Sequence, residues 1–141
     1  MIGILIVAHG TLGESLIQCA IHVLGERPTQ LQQLGVTMHD DLNVVTQRAR
    51  ELVGQLDQGQ GVLVLSDIYG ATPCNVVCGL LIPGKVEGLA GVNLPMLIRA
   101  LTYREETLET LVAKARSGGY DGVVYITPEV CSVKTKRTNH K

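Results

Sequence analysis

Two unbroken apolar runs constrain this chain more than any other feature. Ile2-Gly3-Ile4-Leu5-Ile6-Val7-Ala8 and Gly61-Val62-Leu63-Val64-Leu65 contain no polar side chain, and both are rich in branched residues. A strand with one face in water alternates apolar and polar positions. A strand without alternation is covered on both faces, which is the signature of a parallel sheet between helical layers. The composition agrees. Trp and Phe are absent while 45% of the residues are hydrophobic, so the core is built from Val, Leu, Ile and Ala.

The segments between the runs have helical spacing. Thr11-Leu12-Gly13-Glu14 reads as a capping box that opens a helix to about Glu26, with Leu12, Leu16, Ala20, Val23 and Leu24 on its inner face. Leu31 to Thr37 reads as a second strand, polar enough to lie at a sheet edge. Asp40 or Asp41 caps a helix to about Leu56. After the third strand, Thr72-Pro73 predicts an N-cap with proline in the first turn, opening a helix to about Leu81. Val86 to Val92 is a fourth strand and Met96 to Leu101 a short helix. Thr102-Tyr103-Arg104-Glu105 reads as a second capping box, opening a helix that Gly118-Gly119 ends. Gly122 to Ile126 reads as a fifth strand. Alternating strands and helices over 141 residues predict one α/β domain, an open doubly wound sheet with helices on both faces. The expected boundaries are a domain over residues 1–130 and a basic tail over 131–141.

Charge and cysteine usage exclude several classes. A formal net charge of -1 gives no electrostatic case for nucleic acid. The basic tail Lys134-Thr135-Lys136-Arg137-Thr138-Asn139-His140-Lys141 reads as a solvated extension or a contact to an acidic partner. No targeting segment is apparent, and Ile2–Ala8 is too short to span a bilayer. Cys19, Cys74, Cys78 and Cys131 form no CxxC pair, which predicts reduced thiols in a cytoplasmic protein. Cys74 and Cys78 share a helix face, but the second ligand pair of a structural zinc site is missing, so neither metal nor cofactor is expected. There is no Walker lysine motif and no GxGxxG fingerprint.

Chemistry is expected outside the carboxyl ends of the strands, where ligands of open α/β sheets bind. Three connections are polar there: His9-Gly10-Thr11, Asp67 through Thr72, and Asn93. With strand order 2-1-3-4, His9 and Asp67 face one another across the switch point. A carboxylate on Nδ1 would set the imidazole tautomer and leave Nε2 as a nucleophile. Gly70-Ala71-Thr72-Pro73-Cys74 adds a helix N-terminus suited to an anion. His22, His39 and His140 read as surface, turn and tail residues. Asp40 and Asp41 read as caps rather than metal ligands.

Ile4-Leu5-Ile6-Val7-Ala8-His9-Gly10, Leu65-Ser66-Asp67-Ile68-Tyr69-Gly70-Ala71-Thr72-Pro73-Cys74-Asn75 and Gly91-Val92-Asn93-Leu94-Pro95-Met96 resemble the three signature segments of the mannose-type IIA domain of the bacterial sugar phosphotransferase system, over roughly residues 1 to 130. The resemblance implies a phosphohistidine carrier, a phosphotransferase component. His9 would accept a phosphoryl group from phospho-HPr and pass it to a IIB component, in trans, with indirect association to membrane IIC and IID components. His9 and Asp67 would be catalytic. Gly10, Gly70, Ala71, Thr72 and Cys74 would bind phosphate, although the family often has Gly-Gly-Ser-Pro where this chain has Gly70-Ala71-Thr72-Pro73. A carrier serving two protein partners needs an open site, with Ile68, Tyr69, Asn93, Leu94 and Met96 as its docking rim. The resemblance also implies that the fifth strand is an antiparallel edge strand exchanged within a homodimer. Two other readings stay open on these residues: a regulatory IIA protein that signals through its phosphorylation state, and a small hydrolase using His9 and Asp67.

Overall fold

The computed structural model describes residues 1–131. Its sheet has four parallel strands in the order β2-β1-β3-β4. They are β1 (Gly3–His9), β2 (Leu31–Val36), β3 (Val62–Ser66) and β4 (Val86–Ala90), linked by α1 (Leu12–Leu24), α2 (Leu42–Leu56) and α3 (Thr72–Cys78). Two helices, α4 (Leu94–Thr102) and α5 (Leu108–Asp121), follow. The first apolar run becomes β1, paired on one side with β2 and on the other with β3. Its alternate residues feed two cores. Ile4, Ile6 and Ala8 pack with Ile17 and Ala20 of α1, Leu97 of α4 and Leu111 of α5. Leu5 and Val7 pack on the other face with Val45 and Ala49 of α2 and Val76 of α3. The absence of alternation in the sequence thus reports two buried faces.

Several element boundaries differ from the local reading. Gly118-Gly119 does not end α5, which runs on to Asp121. A Cβ at Gly118 would stand 2.6 Å from the Arg99 Cβ, and one at Gly119 2.9 Å from the Met96 Cε. These glycines let α5 approach α4, and that contact outweighs their low helix propensity. On α1, Ile17 and Ala20 face the core, whereas Leu12, Val23 and Leu24 are exposed. Neither expected capping box forms. Thr11 makes no side-chain cap bond, and Glu14 instead accepts from Gln18 and pairs with Arg27. Thr102 ends α4, and Thr107 caps α5.

The expected fifth strand is absent from the single chain: Gly122 to Ile126 carries no strand, and Val123, Val124, Tyr125 and Ile126 are exposed. Among the described residues this segment pairs with no strand, although the outer edge of β4 is open. The basic residues Lys134 to Lys141 lie outside the described residues.

Arg104, read from sequence as part of a cap, is instead 5% exposed at the amino end of the sheet. Its guanidinium donates to the carbonyls of Ile2, Thr29 and Gln30, and its own carbonyl accepts from the Ile2 amide. One side chain thereby ties the start of β1, the approach to β2 and the α4–α5 connection. Burial pulls its pKa below the ordinary arginine value, opposed by the nearby charge of Glu105. Removing it would take a charged donor from three carbonyls where water has little access, and only the Gln30 carbonyl is seen to keep another bond, from the Ile4 amide. We expect Arg104→Ala to cost about 3 kcal/mol, from lost charged hydrogen bonds and unsatisfied acceptors. Urea unfolding checks this; a change under about 1 kcal/mol, the scale of an ordinary surface substitution, would refute the clasp.

Candidate functional site

The site lies where β1 and β3, neighbours in the sheet, release the chain at their carboxyl ends. Pairing places Val7 opposite Ser66, so His9 and Asp67 emerge side by side. Gly10 follows with φ +54°, a left-handed conformation that turns the chain sharply out of the strand. Its amide donates to the Val36 carbonyl, which holds the loop against β2.

A single carboxylate organises the histidine. Asp67 Oδ2 accepts from the His9 backbone amide at 2.9 Å and lies 2.7 Å from His9 Nδ1. Its other oxygen, Oδ1, accepts from the Ile68 amide at 3.0 Å. Partial burial opposes the charge of Asp67, but the bonds from the His9 amide and ring and the charge of the imidazole outweigh it. The carboxyl is therefore held below its ordinary pKa. An ionised carboxylate only accepts, so the shared proton belongs to Nδ1, and Nε2 is the nitrogen with a free lone pair. The two side chains are unequally covered: His9 is 54% exposed and Asp67 9%. A buried anchor thus presents an open imidazole at the surface, not inside a deep pocket.

The helices around this pair differ from the others in their N-termini. Asp41, Asn93 and Thr107 cap α2, α4 and α5 with side-chain oxygens. The two helices that follow β1 and β3 have no side-chain cap. For α3, Ala71 takes the N-cap position and Thr72 is the first helical residue, which displaces Thr72 from its expected capping role. The leading amides of an uncapped helix have no intrahelical acceptor and can receive an anion. Gly70 precedes them with φ +85°. Thr72 is exposed, whereas Cys74 is 7% exposed and packs inward.

The expected rim is only partly present. Ile68 and Tyr69 are exposed, Tyr69 at 85%. Leu94 is half-buried against the core. Met96 is buried in that core and cannot meet a partner, because the first turn of α4 directs it toward Gly119 of α5. Asn93 spends its amide on structure, accepting from the Met96 amide and donating to the Gly119 carbonyl. Leu12, Leu42 and Met38 are exposed apolar residues at the same sheet edge that the sequence reading did not place on the rim; Met38 is 91% exposed. An apolar residue in the polar loop Thr37 to Asp41 was the available signal. His39 lies exposed in that loop, and His22 is exposed on α1. No group of three or more His, Cys, Asp or Glu residues suited to a metal occurs among the described residues.

The fold and site together define an open parallel α/β sheet that carries, at two neighbouring strand ends, a histidine oriented by a carboxylate. Residues 3–116 match the family model EIIA-man, described as the PTS system fructose IIA component, and the chain belongs to that family. The chain is 30% identical over 125 residues to the PTS system mannose-specific EIIAB component of Escherichia coli K12. That match covers 86% of this chain but only 38% of the longer relative. It is 26% identical over 106 residues to the fructose-specific EIIA component of Bacillus subtilis, covering 74% of this chain and 72% of that one. The crystal structure of the phosphotransferase system component EIIA from Streptococcus agalactiae superposes with a TM-score of 0.79 at 28% identity, covering 89% of this chain and 97% of the other.

The Asp67 shift has a pH consequence. A carboxyl whose folded pKa lies below its unfolded value contributes stability that is fully present above the unfolded pKa and lost as pH falls through the folded one. We expect a ¹³C NMR titration of the Asp67 carboxyl to give a midpoint below that of an unfolded-chain aspartate. His9 ring signals should lose their carboxylate-bonded signature only in that acid range. A midpoint at or above the unfolded value would disprove the pairing.

Proposed function

We propose that this protein is a cytoplasmic phosphohistidine carrier of sugar uptake, in which His9 accepts a phosphoryl group from phospho-HPr through Nε2 and passes it to a IIB component. The observation that carries the reading is the bond between His9 Nδ1 and the ionised Asp67. With the proton held on Nδ1, the Nε2 lone pair attacks phosphorus. The P–N bond of the donor phosphohistidine breaks, a new P–N bond forms at Nε2, and the donor imidazole leaves with the electron pair. His9 then carries positive charge on its ring, which Asp67 stabilises across their shared hydrogen bond. The reverse polarisation assists departure of the group to the acceptor. Gly10, Gly70, Ala71 and Thr72 border the position of the phosphoryl oxygens, with the uncapped turn of α3 supplying amide donors. The half-exposed imidazole suits access by two successive protein partners. Cytoplasmic placement accords with the absence of a helix long and apolar enough to cross a membrane among the described residues.

The test is incubation with HPr, the upstream enzyme that loads HPr from phosphoenolpyruvate, and phosphoenolpyruvate, followed by mapping of acid-labile phosphate at neutral pH. Label is expected on His9. Label on His22 or His39 with His9 unmodified would sink the assignment. Asp67→Asn is expected to keep the fold and slow transfer about 10²-fold or more, because tautomer control and charge stabilisation are lost. An unchanged rate in quench-flow would remove Asp67 from the mechanism.

A homodimer belongs to the same proposal. β4 pairs with β3 on one side only, and the apolar segment Val123 to Ile126 lies exposed without a partner strand. An open strand edge and an unpaired apolar segment in one chain are both satisfied when the segment adds to the sheet of a second copy. Sedimentation equilibrium is expected to give twice the 15.1 kDa monomer mass. A single monomeric species at the highest concentration would overturn the dimer and leave the His9 assignment standing.

A further inference from the structure

Cys74 and Cys78 take no part in the carrier chemistry above, yet they are not dispersed. They stand four residues apart on α3 and line one cavity of about 180 Å³ between that helix and the β3–β4 pair. Ser66 lines the same cavity. Its hydroxyl is fully buried and has no hydrogen-bond partner. A buried hydroxyl without a partner costs free energy, which a ligand in the cavity would recover. Gly88 and Ala90 line it on β4, and a Cβ at Gly88 would stand 2.8 Å from the Val77 Cγ1, so this glycine lets α3 pack close against the strand. Cys74 is nearly buried and Cys78 is exposed, so the pair spans the cavity from its interior to its mouth.

We propose that Cys74 and Cys78 form a two-thiolate site for a soft monovalent d¹⁰ cation of the Cu(I) class, with the Ser66 hydroxyl as a neutral neighbour. Ligands at i and i+4 on a helix face one another and can share one metal, as the paired histidines of HExxH zinc helices do. The donor set selects the ion. A tetrahedral zinc site needs four protein ligands or three and a water, and no third His, Cys, Asp or Glu joins this pair among the described residues. Two thiolates suffice for a soft cation that accepts low coordination, and thiolates select Cu(I). Binding exchanges two thiol protons for one cation, Cu⁺ + 2 RSH → [Cu(SR)₂]⁻ + 2 H⁺, with no change of oxidation state. The exposed Cys78 gives the ion its entry.

The probe is Cu(I) itself, offered to the full chain without oxygen in competition with bicinchoninate, in a Cys19→Ser/Cys131→Ser background that removes the other two cysteines. One equivalent per chain is expected to be withdrawn from the chelator. Cys78→Ser, at an exposed position that should not disturb folding, is expected to weaken retention more than about 100-fold, beyond the loss typical of a residue that only supports a ligand. Cys74→Ser should do the same, with circular dichroism confirming its fold. No withdrawal of copper, or withdrawal unchanged by Cys78→Ser, would overturn the site.

Discussion

Everything at the functional edge depends on the double burial of β1. Its residues from Gly3 to Ala8 are buried, with strands on both sides and helices on both faces. Nothing in that environment tolerates an unpaired polar group. His9 is thus the first side chain after the run to reach solvent, and it does so where β1 and β3 end together. Each strand–helix unit crosses to its neighbour on the face its own apolar residues demand. Order 2-1-3-4 places two consecutive carboxyl ends at the switch point, where ligands of such sheets bind.

At that point one carboxylate does the work of both a loop clamp and a ring orienter. Asp67 Oδ2 accepts from the backbone and the ring of His9 together. The main-chain bond holds the carboxylate beside the ring, so the imidazole meets an acceptor already in place. Charge-assisted hydrogen bonds of this length are stronger than neutral ones, and partial burial of Asp67 protects them from screening. The exposure of His9 costs little, because the orienting group rather than the nucleophile is covered.

The opposite end of the sheet is closed by different physics. Arg104 brings a buried charge without a carboxylate and satisfies it on three main-chain carbonyls. That clasp ties the start of β1 and the approach to β2 to the α4–α5 connection, whereas the glycine-mediated approach of α5 to α4 lies toward the carboxyl end of β4. The exposed apolar residues Met38, Ile68 and Tyr69 lie in loops at the carboxyl end of the sheet.

Much of this was legible in sequence, and the divisions have a physical cause. The unbroken runs identified β1 and β3, helical spacing identified α2, and its cap was narrowed to Asp40 or Asp41, because burial on two faces, amphipathic period and capping are properties of short segments. His9 and Asp67 were also legible, since strand ends concentrate polar chemistry and the motif is contiguous on each strand. What the local pattern misjudged involved partners distant in sequence. Gly118-Gly119 looks like a helix stop until α4 lies against it, and Met96 looks like a rim residue until Gly119 makes room for it. Arg104 looks like a surface cap residue until residues 74, 75 and 102 positions away bring it their carbonyls. The Gly122–Ile126 segment has strand composition but pairs with no strand among the described residues. The sequence by itself determined the four strands of the sheet, most of the helices and the juxtaposition of His9 with Asp67, through preferences each segment carries alone. Only the tertiary structure decided helix ends, buried charges and the fate of the last apolar segment, because those depend on which atoms the fold brings to contact.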